Sequence, residues 1–270
     1  MRNLRLILSY DGTEFAGWQV QPGRLTVQGT LASAIGRLSG ENVLPQGSGR
    51  TDAGVHALAQ VASFATASTI PAENWLRALN DILPVSIRVL EVTEATPEFH
   101  ARKSARAKTY RYRILRTAIC PPFLTRYVWH YPYPLEEPAM VAAASMVVGE
   151  HDFTSFAAVD PERVERMAAE ENIPATGIPS TEVGTTNART TNIRTIFSSS
   201  WTRESEELIY TVHGSGFLHH MVRNLVGTFL LVGKGTVSVE DLRRILGARE
   251  RTAAGPTAPA TGLYLVEVEY

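Results

Sequence analysis

Near the start of the chain Leu4, Leu6, Leu8 and Tyr10 alternate with Arg5, Ile7 and Ser9. A period of two predicts a strand with one apolar face. Asp11-Gly12 ends it. From Thr26, a plausible N-cap, the spacing lengthens: Val27, Leu31, Ile35 and Leu38 recur at helical intervals up to Gly40. A short strand is expected near Val43, then the glycine-rich run GSGRTDAG, then a strand over 60–66 carrying Val61 and Phe64. Pro71 suits the first position of a second helix, whose apolar side is Trp75, Leu76, Leu79, Ile82 and Leu83. Pro84 stops that helix, and Ile87 to Val92 reads as a strand.

The order of this half is β-α-β-β-α-β, the split arrangement of ferredoxin-like and RNA-recognition domains. The second half is expected to repeat it with additions. A strand over 108–116 sets Tyr110, Tyr112 and Ile114 against Arg111 and Arg113. A helix over 137–148, strands over 194–201 and 208–212, helical patterns over 217–232 and 239–246, and a strand over 263–270 follow. Similarity of the halves lies in element order, not in repeated sequence. The expected class is α+β: two α/β halves, 1–105 and 106–270, with mainly antiparallel mixed sheets around a central cleft. Residues 157–190, with five acids between 160 and 171 and then Pro, Gly, Ser and Thr, read as an exposed or partly mobile insertion.

Composition narrows the class. Of 270 residues, 44% are hydrophobic and 20% charged, which suits a folded domain rather than a disordered chain. The single cysteine, Cys120, allows neither an internal disulfide nor a cysteine-rich zinc site, and fits a reducing compartment. The N-terminus lacks the apolar block of a signal peptide, and no apolar run is long enough to span a bilayer. A soluble cytoplasmic protein is expected.

The net charge of −1 argues against a polyanionic partner only as a total. Residues 1–116 carry a net +5 and residues 117–270 a net −6. Between Glu98 and Glu136 there is no acid, but there are eight cations: Arg102, Lys103, Arg106, Lys108, Arg111, Arg113, Arg116 and Arg126. Interleaved with Tyr110, Tyr112 and Phe123, they suit a phosphate backbone with bases stacked on rings. A solvated strand face has the same composition. Arginine outnumbers lysine 23 to 3, a bias that base composition of the genome also produces.

Two segments carry candidate chemistry. In Gly49-Arg50-Thr51-Asp52-Ala53-Gly54-Val55-His56-Ala57, glycines permit close backbone approach, and Arg50 and Asp52 share a side if the segment is extended. A cation beside a carboxylate favours the ionised, nucleophilic form. A loop-holding Asp with a solvated Arg explains the same residues. In Gly214 to Thr228, a turn leads into an apolar helix with His219 and Arg223 four apart on one face. The adjacent histidines lack the spacing of a metal site, so no metal is expected. An arginine in such a helix needs a partner, and Asp52 is a candidate.

The runs YDGTEFAGWQVQP, TVQGTL, GRTDAGVHA, AKTYRYRI, GSGFLHHMVRNLVGT and TGLYLVEVEY together resemble the TruA family of tRNA pseudouridine synthases, over nearly the whole chain and in order. The resemblance implies isomerisation of uridine to pseudouridine at positions 38, 39 and 40 of the tRNA anticodon stem-loop, without cofactor or metal. It implies a homodimer in which one tRNA contacts both subunits. It assigns Asp52 as nucleophile, Arg50 to flipping the target nucleotide, Tyr110 to packing on the flipped base, Arg223 to pairing with Asp52, and Leu263 to lining the base pocket. Two other readings remain: a non-catalytic RNA-binding module, for which the basic stretch and split βαβ order serve equally well, and a hydrolase using Asp52, which lacks the extra acids and metal-ligand spacing such enzymes use.

Overall fold

The computed structural model describes residues 1–158 and 192–270. The proposed insertion lies almost wholly outside them. Along the described chain run β1 (Arg2–Tyr10), α1 (Val27–Ser39), β2 (Gln46–Gly47), β3 (His56–Thr66), α2 (Ala72–Ile82), β4 (Ile87–Ala95), β5 (Ala107–Leu115) and β6 (Trp129–His130). Then come α3 (Glu137–Ser145), β7 (Gly149–Asp152), β8 (Ile193–Glu204), β9 (Glu207–Gly214), α4 (Met221–Gly233), α5 (Asp241–Ala248) and β10 (Leu263–Glu269).

All ten strands join one sheet, ordered β4-β1-β3-β10-β5-β9-β8-β7, with β2 added to β3 and β6 to β5. Pairing is antiparallel except for β10 with β3 and β5 with β6. In the first half β4, β1, β3 and β2 lie side by side; in the second, β10, β5, β9 and β8 do so. Both orders are 4-1-3-2, so the expected repeat of the split βαβ unit is present in topology.

Local signals explain most elements. Leu4, Leu6, Leu8 and Tyr10 are buried on one face of β1. Thr26 Oγ1 accepts the Gly29 N–H at the start of α1, and Gly40 ends it at φ 73°, a left-handed cap that suits glycine. Phe229 of α4 packs its ring on Tyr210 of β9 at 5.3 Å and Trp201 of β8 at 6.3 Å. These side chains and those of the first half belong to one continuous core.

Besides small differences at element ends, such as α3 closing at Ser145 and β8 running on to Glu204, four expectations shift. The strand placed near Val43 is Gln46–Gly47; Val43 packs on the core without pairing, and two residues are too few to show alternation. β3 begins at His56, four residues before the expected 60, because its first residues pair with β10, far away in sequence. Pro71 is the N-cap of α2, not its first helical residue. The helix expected from Phe217 starts at Met221, since His220 adopts a left-handed conformation at φ 59°. Phe217 and Leu218 pack on the core from the preceding turn, so apolar spacing runs through the boundary.

Candidate active site

The short β2 ends at Gly47, and the chain leaves the sheet over 48–55 before returning as β3. Side chains from β1, β3 and β5 hold that loop. Gln60 Nε2 donates to Gly49 O at 3.0 Å, while its Oε1 accepts from Ser48 Oγ at 2.6 Å. The Tyr10 hydroxyl and Thr51 Oγ1 share a buried hydrogen bond of 2.8 Å. Burial pushes the Tyr10 phenol up to about 12, so it stays protonated. Lys108 Nζ donates to Ser48 O at 2.7 Å. Burial, assisted by the charge of Arg102, pulls the Lys108 ammonium down to about 8.

The 12–18 segment closes the other side. Trp18 N–H donates to Thr51 O at 3.0 Å, and Gly54 N–H to Phe15 O at 3.3 Å. Gly17 has φ 93°, and a Cβ there would stand 2.6 Å from Thr51 O, so the contact requires glycine. Asp52 sits at a tight turn in which Val55 N–H donates back to Asp52 O at 3.1 Å. Its side chain is 18% exposed.

The second half supplies the partner. Arg223, in the first turn of α4, donates from Nη1 to Asp52 Oδ2 at 2.9 Å and from Nε to Ala258 O at 2.8 Å. Two anchors fix the guanidinium plane. Behind Arg223, Asn224 is fully buried; it donates to Phe156 O and accepts from Arg251 Nη2 and Thr257 Oγ1. Gly227 lies so close to the 254–258 segment that a Cβ would meet Pro256 O at 1.7 Å. The loop carrying Ala258 O is thus packed directly on the helix carrying Arg223.

His219 and His220 complete the shell. Their Nε2 atoms lie 3.6 Å from Asp52 Oδ1 and 3.3 Å from Oδ2, with ring centroids 4.0 Å apart. Burial, assisted by His219, Arg223 and Arg251, outweighs Asp52 and holds the His220 imidazole below its ordinary value. The neutral form is favoured near pH 7. The pattern of residues had linked His219 to Arg223 on one helix face; both histidines instead precede the helix and still reach Asp52. Their roles around the carboxylate, and the loop-holding roles of Tyr10, Gln60 and Lys108, depend on contacts between residues distant in sequence.

The other named residues fall as follows. Tyr110, on β5 opposite Leu265 and Val212, is buried against the Phe217 ring at 5.0 Å. Burial, with Tyr10 and Asp52 nearby, pushes its phenol well above the ordinary range. Leu263 opens β10, buried and in register with Tyr112. Arg50 stands exposed on the loop. Asp52 is thus paired with Arg223 across the two halves, with the two histidines beside it.

The acid-free stretch divides. Arg113 forms a bidentate pair with Glu207, at 2.7 and 2.6 Å, from the neighbouring strand. Arg116 donates to Tyr131 O and lies 3.8 Å from Glu137, and Arg126 lies 3.4 Å from Glu14. An acid-free run in sequence is thus partly neutralised in space. Arg102, Lys103 and Arg106 remain exposed, and Arg102 is close enough to Lys108 to disfavour its charge.

A carboxylate that meets two histidines and an arginine where the two halves join is a set of groups capable of nucleophilic or acid–base chemistry. The sequence pattern described as tRNA pseudouridine synthase matches residues 6–102 and 180–270, which include Arg50, Asp52, Arg223 and Leu263 but not Tyr110. A tRNA pseudouridine synthase A of Solibacter usitatus is 47% identical over the full length of both chains. Proteins of the same name from Moorella thermoacetica and Brevibacillus brevis are 43% and 42% identical over 99% and 100% of both chains. The chain belongs to the tRNA pseudouridine synthase family.

Proposed function

We propose that this chain, a tRNA pseudouridine synthase, isomerises uridines 38, 39 and 40 in the anticodon stem-loop with Asp52 as the nucleophile. The observation that carries the reading is the 2.9 Å ion pair between Asp52 and Arg223, which joins a loop of one half to a helix of the other. In the reaction the N1–C1′ bond breaks, the uracil turns, and C5 bonds to C1′; C5 gives up its proton and N1 ends with one. Nothing is added or lost overall. Asp52 serves by attacking C1′, by attacking C6, or by promoting a glycal, and each route needs an ionised carboxylate.

A stem uridine must leave the stack before its reactive face is available, at a cost of a few kcal/mol. In this reading Arg50, exposed on the loop, fills the gap or grips the backbone. Tyr110 gives the extruded base a flat surface, and Leu263 an apolar wall that excludes water. Arg223 orients the carboxylate. The chain divides at 105/106, acts in the cytoplasm as a homodimer, and lets one tRNA contact both subunits. Among the described residues no helix is long and apolar enough to cross a membrane.

The test is Asp52→Ala with tRNA carrying tritium at uridine C5. Release of tritium is expected to fall to background while tRNA binding persists. If the purified variant still forms pseudouridine, Asp52 is not the nucleophile. A wild-type chain that binds tRNA but releases no tritium from any isoacceptor would instead mark a non-catalytic RNA-binding module.

A further inference from the structure

We propose that Asp52, His219 and His220 form a reversible binding site for a borderline divalent transition-metal ion, zinc above all. Two adjacent histidines alone lack the spacing of a metal site. The fold adds a third donor that lies far away in sequence. One ligand atom from each of the three residues can be chosen so that all lie within 4.8 Å of one another.

The distances suit the ion. Zinc holds imidazole nitrogen and carboxylate oxygen at about 2.0–2.2 Å, so neighbouring ligands in a tetrahedron stand about 3.4 Å apart. His220 Nε2 lies 3.3 Å from Asp52 Oδ2 and His219 Nε2 3.6 Å from Oδ1, so one imidazole stands at each oxygen of the carboxylate and a small turn of the carboxylate brings either oxygen to the ion. Successive side chains of a regular helix diverge; here the left-handed His220, at φ 59°, turns the chain so that both rings converge on one carboxylate. Two imidazoles and one carboxylate favour zinc, nickel or cobalt over magnesium and calcium, which take mainly oxygen. The three side chains are 18–34% exposed, so the carboxylate and both rings are within reach of an ion from solvent.

Arg223 opposes the ion. Its charge lies 2.9 Å from Oδ2, which weakens the site and makes it reversible rather than structural. Arg223 keeps its second anchor on Ala258 O when a metal competes for the carboxylate. A metal on Asp52 engages the oxygen electrons that a nucleophile needs. Resting on the function proposed above, zinc therefore excludes the reaction and acts as an inhibitor.

The test is calorimetric titration of the full chain with zinc alone, and cobalt titration followed by its visible absorption. Wild type and Cys120→Ser, which removes the lone thiol, are expected to bind one ion. His219→Ala, His220→Ala and the milder His219→Gln and His220→Gln should each weaken binding tenfold or more, with folding checked by circular dichroism. No binding by wild type, or equal binding by folded histidine variants, overturns the proposal. In the tritium-release assay zinc should abolish turnover and EDTA restore it; turnover that persists with the site saturated overturns the inhibitory role. An inactive wild type would count against the isomerase reading and leave the calorimetric result intact.

Discussion

The two halves share the 4-1-3-2 strand order but use it differently. In the first, β2 is two residues long; its counterpart in the second, β8, is twelve. β8 runs along β9 and seals that edge, with β7 added beyond it. β2 covers β3 only at Ala62 and Ser63, leaving His56 and Ala57 to pair in parallel with β10. The truncated strand thus does two things: it joins the sheets, and it releases 48–55 to carry Asp52. The intact half supplies rigid supports instead, with Tyr110 on a central strand and Arg223 on a buried helix. Repetition of a topology leaves room for one copy to give up regularity for chemistry while the other keeps it.

The severest way to break this division is Arg223→Ala, which leaves Asp52 without the cation contributed by the other half. Turnover is expected to fall by about 100-fold or more, since reacting groups tolerate little misplacement. Single-turnover kinetics at saturating tRNA would show the loss in the chemical step, and Arg223→Lys should recover part of it.

Next in size is a comparison of two glycines. Gly227→Ala drives a Cβ into Pro256 O and displaces the segment that holds Arg223 through Ala258 O. It should cost about 1–3 kcal/mol and lower turnover. Gly40→Ala strains a helix cap in open space and should cost about 1 kcal/mol with turnover intact. Denaturant melts paired with tritium release separate the two; equal effects on turnover would refute the coupling.

A smaller effect concerns the seam between the halves. His56 accepts from Gly12 N–H through Nδ1, and its Nε2 lies 2.9 Å from Arg126 O, a pairing that suits the neutral ring with its proton on Nε2. Burial holds it below its ordinary 6.5 despite the nearby Asp11. The unfolded chain therefore binds the proton more readily, so this contribution to stability is complete above about 6.5 and is lost as pH falls. Thermal melts between about pH 7 and pH 5 should show a steeper decline for wild type than for His56→Gln. The remaining slope includes His220, whose shift has the same sign.

The mildest contrast is electrostatic. Replacing exposed Arg102 and Lys103 together should flatten the salt dependence of tRNA binding by about one unit for each phosphate that these side chains neutralise. Arg113→Ala, which breaks the pair with Glu207, should change stability and leave that slope nearly unaltered. A reversed outcome would place the RNA against Arg113 of β5 rather than against the 101–104 turn.

Period-two and helical spacing located β1, α1, α2, α4 and β10 because each buries one face against the core. They could not locate β2, which is too short to alternate, or the start of α4, where the turn is as apolar as the helix. The motifs around Asp52 and Arg223 were legible, and so was the possibility of their pairing. The reach of His219 and His220 to that carboxylate was not, because a left-handed residue breaks the periodicity on which such inference depends.

The chain by itself therefore determined element order, the apolar faces, and the residue types available for chemistry, all of which follow from local sterics and from the exclusion of water from apolar stripes. Tertiary structure decided which charges are met. It gave Arg113 its Glu207 and Asp52 its Arg223, and it left Arg102 and Lys103 at the surface. Charge pairing acts through distances of a few ångströms in space, and those distances are set by which strands and halves meet, β5 with β9 for Arg113 and the two halves joined through β10 and β3 for Asp52, not by position along the sequence.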